Sequence, residues 1–245
     1  MAKQPQVART VAVLGLGRFG AALARELEAS GTEVMGVDNH PNAVRSLSGE
    51  LTQVIEADAA QEEAAENLGL ADFDRVVVAI GGHIVASCLA SSMALGLGLE
   101  VWAKAVSNPH ARILHKLGVQ HVIFPEQDMG KRVAHLVRGG MLDYVEFSDD
   151  YAMVTMLTPP EMVGKPLGTS RARSHHNVTV VAATGPSGRF DYATAETVPG
   201  ASDRLIVSGA TTDVDRFSAR AHEQAPTQGP ILRSRQPGDW STMRS

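Results

Sequence analysis

The stretch VAVLGLGRFG, residues 11 to 20, decides how this chain is read. An apolar run ends in a glycine loop, and the loop opens a segment, FGAALARELEAS, whose apolar residues recur at helical spacing. Gly15, Gly17 and Gly20 keep the spacing of a dinucleotide-binding turn. Gly15 permits the tight turn after a strand, Gly17 lets a phosphate approach the backbone, and Gly20 lets the helix pack closely on the sheet. Free N–H groups at the start of that helix then face phosphate oxygens. Arg18, at the centre of the loop, is unusual for a dehydrogenase, and it raises the question whether the loop serves chemistry or senses what it binds.

The alternation that the loop begins runs on. Apolar runs at 10–15, 33–38, 53–58, 75–80, 100–105 and 121–126 read as strands. FGAALARELEAS, QEEAAENLGL, the 83–95 stretch, PHARILHKLG and QDMGKRVAHLVRG read as helices. Short apolar strands separated by helices imply a parallel sheet covered on both faces. The expected fold class is therefore α/β, a Rossmann-like doubly wound sheet over residues 1–140 with its crevice at the carboxyl ends of the strands. Asp38 ends the second strand, where a carboxylate accepts hydrogen bonds from both ribose hydroxyls and repels a 2′-phosphate. Asp58 ends the third, and either meets the adenine edge or caps the next helix. Ile80 ends the fourth and can lie against a nucleotide.

Past residue 140 the rhythm changes to strand-like runs at YVEF, AMVTML, NVTVVAAT and DRLIVSG, with turns at TPPEMVG and TGPSG and a closing helix near TDVDRFSAR. This pattern predicts a small α+β module over 141–220. The remainder, 221–245, has scattered charge, several prolines and no period, and is expected to be a disordered tail.

A formal charge of −5 and a pI near 6.0 give no general attraction to nucleic acid, and no convincing basic patch offsets them. The one cysteine, Cys88, excludes an internal disulfide and fits a reducing compartment; its apolar and small neighbours place it on a buried helix face. The segment 83–105 is apolar over about a membrane's width, but its serines, Glu100 and the break at Gly96 and Gly98 read as a helix handing over to a strand. The N-terminus shows no signal-peptide pattern, so a cytoplasmic location is expected. None of the nine histidines falls in a motif with a recognisable acid–base partner or metal-ligand spacing, so the reading is of a protein that is not an enzyme. The competing reading is an NAD-dependent oxidoreductase or an NAD-sensing protein, which uses the same glycine loop and Asp38.

GLGRFG with VD ending the second strand, AIGGHIVAS after the fourth, WAKA in the fifth and HKLGVQHVIFPEQDMGKRVA resemble the RCK (KTN) domain of the cytosolic regulatory subunits of Ktr and Trk potassium transporters, with the Ktr type the nearer match. The similarity covers the first 140 residues closely, and 143–220 looks like the smaller C-terminal RCK module. The resemblance implies an RCK N-terminal domain that binds ATP or ADP through Gly15, Gly17, Arg18, Phe19 and Gly20, with Arg18 at the terminal phosphate. It implies Lys104 near the nucleotide, and Glu126 linked to Mg²⁺ or another divalent cation at the γ-phosphate. A carboxylate facing phosphates is repulsive unless a cation lies between them. Helix N-terminal acids that complement the dipole, Glu126 among them, are the plainer alternative. In the C-terminal module the resemblance implies cyclic di-AMP binding through Arg173, with Arg171 the alternative in a shifted register. The family pattern further implies homodimers in an octameric ring beneath a membrane-embedded potassium-transporter subunit, at the inner face of the cell membrane. Exchange of ATP for ADP would reshape the ring and gate the pore.

Overall fold

The computed structural model describes residues 7–61, 63–185 and 187–222. The chain divides into two compact units after Asp128. In the first, β1 (Thr10–Leu14), α1 (Arg18–Ala29), β2 (Glu33–Asp38), α2 (Pro41–Leu47), β3 (Gln53–Glu56), α3 (Ala64–Asn67), β4 (Arg75–Val78), α4 (Ile84–Gly96), β5 (Glu100–Lys104), α5 (Asn108–Leu117) and β6 (His121–Ile123) follow one another. They form a parallel sheet of six strands in the order β3-β2-β1-β4-β5-β6. The expected Rossmann-like doubly wound class is borne out, and the order reverses between β1 and β4.

Period-two placement along each strand feeds two separate apolar layers. Ala12 and Leu14 of β1 join Val76 and Val78 of β4 and the small residues Ala90 and Ala94 of α4 on one face. Val11 and Val13 turn the other way, to Ala24, Leu23 and Leu27 of α1. The ends of α5 show why the segment is helical: Ser107 accepts the N–H of His110 at 3.3 Å, and Gly118 closes the helix in a left-handed conformation at φ 97°. Cys88 lies half-buried on α4 against the first layer.

The division between the units falls inside α6 (Pro125–Val137). The second unit holds β7 (Asp143–Ser148), β8 (Tyr151–Leu157), α7 (Ala172–His176), β9 (Val178–Thr184), β10 (Phe190–Tyr192), β11 (Arg204–Ala210) and α8 (Thr211–His222). Its antiparallel sheet runs β10-β9-β11-β8-β7. Val154, Met156, Leu205 and Val207 meet Val214 and Phe217 of α8 in its core. Three elements carry no clear signal in the sequence. The short helix α2 opens on a proline, a favourable first helical residue, but has one buried side chain, Leu47. The edge strand β10 is exposed throughout, and α7 is little more than one turn. Past residue 222, the expected disordered tail lies outside the described residues.

Candidate functional site

The crevice opens where the strand order reverses, and the glycine loop forms its floor. Gly15 stands at φ 98°, where a Cβ would come 3.0 Å from the backbone of Ala79 and Ile80. Its N–H donates to the Val37 carbonyl at 2.7 Å, tying the loop to β2. A Cβ on Gly20 would fall 1.9 Å from the Gly15 carbonyl oxygen, so the first turn of α1 closes onto the loop only without a side chain. Gly17 is the N-cap of α1, and a Cβ there would meet nothing within 4 Å. The front of the loop is therefore open to a ligand. The first turn of α1 holds no acidic residue, which leaves its N-terminal partial charge uncompensated.

Asp38 organises the adjoining wall. One carboxylate oxygen accepts the Leu16 N–H at 2.6 Å and the other accepts the His40 N–H at 2.8 Å. Each oxygen keeps a second lone pair for a sugar hydroxyl. Asp58 lines the cavity and accepts the Ala60 N–H at 3.0 Å, which closes a turn; the expected cap of the next helix is not made, since α3 starts at Ala64 with Glu63 as its N-cap. That cavity, about 210 Å³, is lined by Gly15, Gly17, Asp38, Asp58, Ile80 and His83 among others.

A second cluster forms at the ends of β5 and β6. Lys104, 9% exposed, places Nζ 2.5 Å from Glu126 Oε1 and 5.8 Å from the centre of the Phe19 ring. The hydrogen bond from Lys104 holds the Glu126 carboxyl below the usual carboxylate range, and Arg18 adds to the effect. Arg18 itself is exposed and forms no hydrogen bond or ion pair among the described residues. Beside Glu126 lies a cavity of about 480 Å³ that also takes in Ser107, Asn108 and Gln127. A divalent ion at Glu126 would draw on one carboxylate and on phosphate oxygens, a donor set that suits Mg²⁺, but it would meet Lys104 already on that carboxylate. Among the described residues no three His, Cys, Asp or Glu side chains gather as a metal cage.

In the second unit a cleft of about 520 Å³ is lined by both Arg171 and Arg173, with Gly168, Ser170 and Ser174. The two candidate registers thus converge on one cleft. Arg171 holds φ 54°, a left-handed conformation that turns the chain into α7.

Some participants were not legible in the residues. Asp38 was read as a ribose acceptor, whereas its bond to Leu16 N–H makes it a staple of the loop as well. Gly36 lacks a motif, yet a Cβ there would come 3.0 Å from Leu16 and Leu51 behind the loop. His110 falls in no sequence motif, yet the fold buries it. It is 1% exposed with Nε2 unpartnered, and burial lowers its pKa.

The TrkA-N domain family matches residues 11–125. Ktr system potassium uptake protein C of Bacillus subtilis (strain 168) is 35% identical over 211 residues, which span 85% of this chain and 96% of the relative. Ktr system potassium uptake protein A of the same organism is 32% identical over 208 residues, 84% of this chain and 94% of the relative. Its namesake in Vibrio alginolyticus is 39% identical over 158 residues, 64% and 72% of the two chains. Among solved structures, the GsuK RCK domain aligns at a TM-score of 0.60 and 14% identity, covering 90% of this chain and 49% of that one. The GsuK channel bound to NAD aligns at 0.60 and 15%, covering 91% and 41%. This chain thus spans less than half of those two longer chains, and the likeness is one of fold.

Proposed function

The chain belongs to the Ktr potassium uptake family of TrkA-N domain proteins, and on that premise we propose that it is a cytosolic regulatory subunit that senses adenine nucleotide and gates a membrane-embedded potassium-conducting partner. The observation that carries this reading is the division of the crevice: acids and a loop suited to ribose and adenine at one end, and the free guanidinium of Arg18 at the other. A guanidinium beside the glycine loop would add charge-assisted hydrogen bonds to a γ-phosphate that ADP lacks. ATP and ADP then stabilise different conformations by the difference in those contacts alone. A divalent ion at Glu126 would supply positive charge to the same phosphate, whereas Gly17, Arg18 and Lys104 bind and orient the phosphate chain.

Assembly into dimers and a ring suits the surface of the first unit. The packed helices α4 and α5 leave Val85 at 72% exposure, Leu89 at 47% and Ile113 at 45%. Exposed apolar side chains on these two helices suit contact with further copies of the chain. Among the described residues no helix is long and apolar enough to cross a membrane, which agrees with docking on a separate membrane subunit. The Arg171 and Arg173 cleft is proposed to take cyclic di-AMP, since its lining pairs two guanidinium groups with apolar walls and no acid.

Titration calorimetry with ATP, ADP and NAD, each with and without Mg²⁺, tests the reading. ATP and ADP binding well ahead of NAD supports it. The NAD reading rests on Asp38 and the glycine loop, and it would be favoured by the opposite order.

A further inference from the structure

Lys104 sits at the carboxyl end of β5, 9% exposed, with its ammonium 2.5 Å from Glu126 Oε1. The Phe19 ring and Gly81, where a Cβ would stand 3.4 Å from Nζ, bring no negative charge to it. A buried ammonium left without a counter-charge is costly, so Lys104 must face an anion in every state of the site. Here that anion is Glu126, whose side chain is 65% exposed. A nucleotide whose phosphates extend past the glycine loop at Arg18 and Phe19 would bring a second anion to the same ammonium, since the Phe19 ring centre stands 5.8 Å from Nζ.

We infer that Lys104 is an exchangeable counter-ion: the third phosphate of a nucleoside triphosphate takes its ammonium from Glu126, whereas a diphosphate stops short and leaves the Lys104–Glu126 bridge closed. The bridge is then a specificity device that resists ATP and ignores ADP, and opening it releases the Glu126 carboxylate at the first turn of α6. This rests on the adenine-nucleotide reading above. It also separates two roles of Glu126 by sign. A carboxylate that helps only by holding a metal weakens ATP binding when lost, whereas one that competes for Lys104 weakens it when present.

The test is calorimetry of the full chain with ATP and with ADP in the presence of a metal chelator, for the wild type, Glu126→Gln, Lys104→Met and the double variant. Glu126 is largely exposed, and methionine keeps the apolar stem of Lys104, so these variants retain the fold. Glu126→Gln is expected to tighten ATP about fivefold, the scale of a partly exposed ion pair, and to change ADP less than about twofold. In the Lys104→Met background the same substitution is expected to give no gain. Unchanged or weaker ATP binding by Glu126→Gln overturns the exchange. So does a gain that persists without Lys104, which would mark simple relief of carboxylate–phosphate repulsion. A wild-type chain that binds neither nucleotide overturns the underlying reading and the exchange with it, whereas ATP binding without the Lys104-dependent gain overturns the exchange alone.

Discussion

Asp38 holds the N–H of Leu16 at 2.6 Å, so the residue that ends β2 fixes the loop that ends β1. The same carboxylate takes the His40 N–H and thereby also fixes the chain that leaves β2. Asp38→Ala leaves two backbone donors without their acceptor. It is expected to lower stability by about 1–3 kcal/mol and to weaken ATP and ADP equally, as read by denaturant melts and calorimetry. Loss of affinity for one nucleotide alone would contradict a role at the shared ribose.

Gly20 and Gly17 separate folding from binding. With 1.9 Å between a Gly20 Cβ and the Gly15 carbonyl, Gly20→Ala is expected to cost at least about 2 kcal/mol of stability. A Cβ on Gly17 meets nothing, so Gly17→Ala is expected to melt as the wild type does while losing nucleotide affinity. The comparison needs a melting curve and one titration for each variant, and equal melting of the two would refute the packing argument.

Arg18 is exposed and makes no hydrogen bond or ion pair among the described residues, so Arg18→Ala is expected to leave the fold intact and to weaken ATP roughly tenfold more than ADP. Equal losses for the two nucleotides would remove Arg18 from the γ-phosphate.

His110 gives the first unit an acid-sensitive point. Burial depresses its pKa in the folded chain, so the folded imidazole stays neutral while the unfolded one takes up a proton below about pH 6.5. The unfolded state then binds more protons, and stability, complete above that pH, falls as the pH drops. The difference in melting temperature between pH 7.5 and 5.5 is expected to shrink in His110→Gln. An unchanged difference would place the acid sensitivity elsewhere.

The parallel sheet was legible because the strands of the first unit are short apolar runs and helices α1 and α5 carry an apolar stripe, whereas α4 is apolar nearly all round and is told from a strand by its length. The glycine loop was legible because Gly15 and Gly20 answer steric demands that spacing encodes. The elements that escaped are those that bury little: α2 with Leu47 alone, and β10 with no buried residue. At the site, spacing alone did not bring Lys104 to Glu126. They lie far apart in sequence, and their meeting depends on β5 and β6 being neighbours in the sheet, which residue patterns do not fix.

The central claim is that nucleotide on this chain controls potassium movement through a partner. The most direct measurement is potassium flux in proteoliposomes holding the membrane-embedded subunit with this chain, comparing ATP with ADP and the wild type with Arg18→Ala. The account predicts different fluxes with the two nucleotides, and a difference that collapses in Arg18→Ala. Equal flux with ATP, with ADP and without nucleotide would contradict it.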